Sequence, residues 1–379
     1  MQVYLDHNAS TPISVSVRDT ILSQMGPEFG NPSSSHALGE RTRTRMAQAR
    51  EAVASLLGTS PEHILFTSSG TEANNLALSI CRDKCSPSHL ITTQIEHSSV
   101  LQYATFLESQ GVLATYVPPE PSGIVSVSEI EKSISPHTTM ISMQWINNET
   151  GCIQPVEEVA QLCQDKGVLF HCDGAQALGK VPLQLEEYSI DFMTLSGHKI
   201  HAPSGIGALY ARNPKNISPM LRGGSQEFGL RAGTENIVGI VGLGKASTDR
   251  ERQQKEVVQR LGSLRDRFEQ RLFEALPFVT VNGDPEHRAC NTTNLCFTGL
   301  DGQALVARLS QDGVYCSQSS ACTNQRPEPS YVLRAMGLSE DDAYASVRFS
   351  FGEMNTENEL DYAVQTIIQH CKVLQQFSF

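Results

Sequence analysis

Leu195-Ser196-Gly197-His198-Lys199 puts a lysine one short polar turn after the apolar run 190–195. His171-Cys172-Asp173-Gly174-Ala175-Gln176 closes another apolar run, Val168-Leu169-Phe170, with a carboxylate. An amine and a carboxylate at two strand ends suit pyridoxal phosphate (PLP) chemistry. The amine forms a Schiff base with the cofactor aldehyde. The carboxylate keeps the pyridine nitrogen protonated, so the ring accepts electrons. Ser-x-His-Lys alone is usually a solvated turn; the upstream Asp-x-x-Gln is what favours the PLP reading.

Other residues could complete such a site. Ser69-Gly70-Thr71 lies between a predicted strand, Ile64–Thr67, and a helix from about 73 to 81. Free amides at a helix start, with its dipole, cradle a phosphate, and Ser196 and His198 could add side-chain donors. A Ser-Gly turn serves many other strand–helix joints. His97 follows a strand at His89–Thr93, where an imidazole can stack on a ring or move protons near neutral pH. A plain helix cap is the local alternative. Asn148, in Asn147-Asn148-Glu149-Thr150-Gly151, suits a ring oxygen, a substrate group or simply a turn. Arg348 lies inside an apolar strand at 346–350 and calls for a partner, either a substrate carboxylate or an internal acid. Cys322 sits in a small-residue, Pro-rich loop at 319–329. An exposed thiol there is a liability unless it is used, and a half-buried structural cysteine is the alternative.

The elements that must position these residues alternate. Strands at 64–67, 89–93, 139–144, 168–172 and 205–210 alternate with helices near 99–110 and 155–166, which predicts βαβ units and a mostly parallel sheet. Loops at the carboxyl ends of such strands line a ligand crevice. A charged amphipathic helix is predicted over 249–275. After it come strands at 278–281, 294–297 and 347–351, the texture of a smaller α+β domain beginning near residue 254.

At 379 residues the chain exceeds what one core usually fills. Its 41 acidic and 29 basic residues give a formal charge of −12, which argues against a wide basic face for nucleic acid. No run reaches the ~18 apolar residues of a membrane span, and the first residues carry neither a basic nor an apolar leader. Ten cysteines with no Cys-x-x-Cys pair predict a reducing, cytoplasmic setting and no metal site.

The chain resembles the PLP-dependent cysteine desulfurases of the NifS/IscS type, a class-V aminotransferase-like group. The match runs nearly end to end. It is carried by residues 4–12, Gly30-Asn31-Pro32-Ser33-Ser34, 67–75, Glu96-His97, 147–151, 171–176 and 196–199, with Arg231-Ala232-Gly233-Thr234-Glu235-Asn236, Ser320-Ala321-Cys322-Thr323 and 328–337. The resemblance implies PLP fold type I, the aspartate-aminotransferase-like α/β fold. A large domain, 13–253, would hold the mostly parallel central sheet. A smaller α+β domain would combine 1–12 with 254–379.

The resemblance also implies roles. Lys199 carries the Schiff base and removes the substrate α-proton. Asp173 faces the pyridine nitrogen, Gln176 the ring hydroxyl, and His97 stacks on the ring. Gly70, Thr71, Ser196 and His198 hold the phosphate, and Thr234 reaches the phosphate of the other subunit in a homodimer. Asn148 and Arg348 grip the substrate carboxylate. Cys322 takes sulfur from L-cysteine, leaving alanine and a persulfide for a sulfur-acceptor protein. Iron–sulfur assembly, tRNA thiolation and DNA sulfur modification are the implied destinations, and a related PLP enzyme such as selenocysteine lyase is the alternative. The family more usually has glycine at Ser225 and arginine at Phe228, so a subunit or partner surface is expected to differ there.

Overall fold

Short apolar runs bounded by turn residues build the centre of the molecule. The structure, a computed structural model, describes residues 1–26, 29–83, 87–318 and 329–376. Its first eight strands are β1 (Val3–Tyr4), β2 (Ile64–Thr67), β3 (His89–Thr93), β4 (Leu113–Val117), β5 (Thr138–Gln144), β6 (Leu169–Asp173), β7 (Phe192–Ser196) and β8 (Gly207–Ala211). Seven of them form one sheet in the order β2-β8-β7-β6-β5-β3-β4. Only β8 runs against its neighbours; the pairs from β7 through β4 are all parallel. Strands β2, β3, β7 and β8 are buried at every position. That is the pattern of strands covered by helices on both faces. The edge strand β4 escaped the sequence reading because it is only half-buried, so its apolar signal is diluted.

Helices Ser98–Ser109 and Val156–Lys166 fall within a residue of expectation. The helix expected from 249 instead runs from Ile237 to Ala275. Gly239, Gly242 and Gly244 lower helix propensity in its first turns and hid them from the sequence reading. Packing reverses that bias. A Cβ at Gly244 would stand 2.6 Å from Cα of Ala49, so glycine lets this helix lie against helix Ala37–Leu57.

Four further strands follow: β9 (Val279–Val281), β10 (Thr292–Phe297), β11 (Val314–Tyr315) and β12 (Ser346–Ser350). β9 and β12 flank β10 in an antiparallel sheet, and β1 pairs parallel with β11. One core cluster gathers Phe66, Ile141, Phe170 and Met193; a second gathers Phe268, Phe297, Phe349 and Phe351 with Val3 and Leu5. The long helix supplies Ile240, Leu243 and Ala246 to the first and Val257 to Leu272 to the second. Among the described residues no helix is long and apolar enough to cross a membrane.

Candidate active site

Asp173 ends β6, in register with Gln144 of β5 and Thr194 of β7. Ser196 ends β7, and one tight turn, Gly197–Lys199, carries the lysine beyond it. Gly197 is required by close approach: a Cβ there would stand 2.9 Å from the Ile206 side chain. Gly70 opens helix Gly70–Leu78, and a Cβ on it would lie 3.3 Å from that of Ser196. The first amides of a helix have no partner within it. The Ser196 side chain therefore shares one corner with free helix amides, an anion cradle. His97 does cap helix Ser98–Ser109, its Nδ1 accepting from the Ser99 amide at 3.1 Å. The cap fixes the ring at the start of that helix.

Lys199 Nζ donates to the carbonyls of Asn8 at 2.5 Å and Ala9 at 2.9 Å. Burial, then the nearby Arg348, lowers its pKa to about 8, so part of it is a free amine near neutrality. Asp173 is buried, and its partners are neutral: Asn74 Nδ2 at 2.8 Å and the Ala175 amide at 3.0 Å. Asn74 Nδ2 also donates to Ser99 Oγ at 2.8 Å, and that hydroxyl lies 2.7 Å from His97 Nδ1. A continuous chain of polar contacts thus ties His97 to Asp173. His198 is driven to about 4 by burial and by Lys199, so its ring is neutral.

Gln176 Nε2 donates to the Asn8 carbonyl at 3.0 Å, and its Oε1 accepts from Lys180 Nζ at 2.7 Å. Lys180 also donates to Asn8 Oδ1 at 3.2 Å. Asn8 is a hub. Its amide donates to Ser350 Oγ, and its Nδ2 donates to Thr292 Oγ1 and the Asn148 carbonyl. Its Oδ1 accepts from Asn291 as well as Lys180. Arg348 Nη2 pairs with Asp6 at 2.6 Å, and Nη1 donates to the Asn148 carbonyl at 3.0 Å. The internal-acid alternative for Arg348 is therefore realised, yet its buried Nε has no partner among the described residues.

A family model described as Aminotransferase class-V matches residues 3–363. Cysteine desulfurase 2 of Trichormus variabilis is 42% identical over 380 residues, covering 99% of this chain and 95% of that protein. The chain belongs to the class-V aminotransferase family, among its NifS/IscS-type cysteine desulfurases. A solved structure described as a NifS-like protein superposes on this family member with TM-score 0.93 at 34% identity, over 99% of this chain and 100% of the other. SspA in complex with cysteine superposes with TM-score 0.82 at 34% identity, over 92% and 99%. The architecture is the fold type I α/β arrangement of these enzymes.

Within this NifS/IscS-type fold, Lys199, Asp173, Gln176, His97, Gly70, Ser196 and His198 come from strand or helix ends of the large sheet. Arg348 comes from β12 and meets Asn148 through that residue's carbonyl. Thr71 is exposed at the helix start, and Thr234 is exposed on the segment whose Arg231 pairs with Glu72 at 2.8 Å. Cys322 lies outside the described residues. Phe228, where the resemblance led to an expectation of arginine, sits at φ 60° with its ring 5.1 Å from the Arg50 guanidinium. Arg50 in turn pairs with Glu227 at 2.6 Å. Sequence reasoning missed Asn8, Asn74 and Lys180 as site residues. Only Lys180 left a local trace, four positions after Gln176.

Proposed function

We propose that the protein is a PLP-dependent cysteine desulfurase that removes sulfur from L-cysteine, giving L-alanine and a persulfide on Cys322. One observation carries the reading: among the described residues the buried Asp173 carboxylate has only neutral hydrogen-bond partners, and it lies within electrostatic reach of the Lys199 amine. A buried charge so placed is suited to a cation such as a protonated pyridine nitrogen. The cradle at Gly70 and Ser196 adds a phosphate site. The identity to proteins named cysteine desulfurase supports the same reading.

PLP supplies an aldehyde for an amine and a ring that takes up an electron pair. Lys199 would bind it covalently, Asp173 would face the ring nitrogen, Gln176 the ring hydroxyl, and His97 would stack on the ring. Gly70, Thr71, Ser196 and His198 would hold the phosphate, joined by Thr234 from the second subunit of a homodimer. The substrate carboxylate would take Nε of Arg348, with Asn148 beside it. The Lys199 amine, near pKa 8, can accept the α-proton at neutral pH. The Cys322 thiolate attacks the substrate sulfur. The S–S bond forms as the C–S bond breaks, its electron pair stays with carbon, and a proton completes the alanine methyl group. We divide the chain into a large domain, 13–253, and a small domain, 1–12 with 254–379, which would carry Cys322. A cytoplasmic setting and a protein sulfur acceptor complete the reading.

The loaded protein should be yellow and release alanine from L-cysteine, with one added sulfur on the peptide containing Cys322 by mass spectrometry. Lys199→Ala should lose the long-wavelength absorption and turnover together. Retained turnover in that variant, or added sulfur on Cys316 instead, would sink the assignment.

A further inference from the structure

A second lysine stands behind the first. Lys180 Nζ touches two amide oxygens, Oε1 of Gln176 at 2.7 Å and Oδ1 of Asn8 at 3.2 Å. Buried lysines ordinarily pair with carboxylates; these recorded partners are neutral. The Asn8 residue they share accepts from Lys199 and Gln176 on its backbone carbonyl. Two lysines and one glutamine are therefore wired through a single asparagine.

We propose that Lys180 is a positioning residue that locks the side-chain amide of Gln176, so that Gln176 presents an N–H rather than a carbonyl to the cofactor crevice. The inference rests on the reading of Gln176 as the residue facing the ring hydroxyl. Lys180 satisfies Oε1, and the Asn8 carbonyl takes one Nε2 hydrogen. The second Nε2 hydrogen is left for the crevice. An N–H there favours the ring oxygen as an anion. Without Lys180, Oε1 would be a buried acceptor lacking a donor, a cost that turns the amide away. The groups facing Lys180 are Lys199, Arg250, Arg348, Cys290 and His7. Burial first, with the three cations adding to it, lowers its pKa to about 7. Its hydrogen bonds, more than a full charge, are then what it offers at neutrality.

The test uses PLP-loaded wild type, Lys180→Met, Gln176→Ala and the double variant. The readout is the pH midpoint of the bound cofactor's absorption change. Lys180→Met should raise the midpoint by about one pH unit, and Lys180→Arg should restore it in part. In the Gln176→Ala background, Lys180→Met should add nothing, because coupled residues are non-additive. An unmoved midpoint overturns the proposal. So does a shift of equal size in both backgrounds, which would mean that Lys180 acts on Lys199 by charge alone. A measurement on the unaltered, unloaded chain covers a Lys180→Met variant that fails to fold. The Gln176 side-chain amide resonances should titrate with the Lys180 amine, near pH 7; resonances that ignore that titration overturn the proposal. A wild type that takes up no PLP overturns the reading of the site and this inference with it. Normal uptake with an unmoved midpoint overturns the inference alone.

Discussion

In the function proposed above, Arg348 serves structure and chemistry at once. Its Nη groups are held by Asp6 and the Asn148 carbonyl, which leaves Nε as a buried donor without a partner among the described residues. Lysine could keep the Asp6 pair but has no planar fork to reach a second anion. Arg348→Lys should therefore raise KM for L-cysteine by roughly 10–100-fold, with a smaller change in kcat. An unchanged KM would return Arg348 to a purely structural role. Legibility follows the same division. The places of Lys199, Asp173 and His97 after β7, β6 and β3 were readable because each sits in a short run whose neighbours state its strand end. Asn8 was not, because its partners Ser350, Thr292 and Asn148 lie far away along the chain. Asn74 was hidden likewise: its partner Asp173 is brought beside it only by the strand order.

At the level of elements, the loop after β3 holds a buried acid. Glu96 Oε1 accepts from Thr93 Oγ1 at 2.7 Å and from the Gln144 amide at 3.0 Å, while Oε2 is buried without a partner among the described residues. Burial raises its pKa to about 8. A carboxyl whose folded pKa lies above its unfolded value gives stability that is present below the unfolded value. That stability is lost as pH rises through the folded pKa. Between about pH 4.5 and 8 this residue should lower stability by up to about 1.4 kcal/mol per pH unit. Glu96→Gln should flatten that decline in thermal melts of the unloaded protein, and a parallel pH profile in the variant would contradict it. The long helix yields a second expectation. Gly244→Val would press a side chain into Ala49, and overpacking of this kind costs about 1–3 kcal/mol, readable as a lower urea midpoint. The sequence pattern found that helix only where charged and apolar residues alternate. Its glycine-rich start makes sense only beside helix Ala37–Leu57, which no local window contains.

The molecule as a whole leaves apolar side chains open near its start. Ile13, Val15, Leu22, Met25 and Phe29 are all exposed in the single chain. That exposure suits a subunit contact. Light scattering should report twice the 41.4 kDa chain mass, and Thr234→Ala should weaken PLP retention by roughly 1.5–3 kcal/mol. A fully active monomer at assay concentration would contradict both.

The Asn8 hub also orders events in time. Val3 and Leu5 bond to Gly313 and Tyr315, and Ser350 bonds back to Leu5. On a ribosome residues 3–8 therefore wait for residues 313–350 before they find their partners. A chain interrupted before residue 350 lacks the Ser350 anchor of Asn8, the carbonyl of which receives the Lys199 amine. The anchoring of that carbonyl doubles as a record that translation has passed that point.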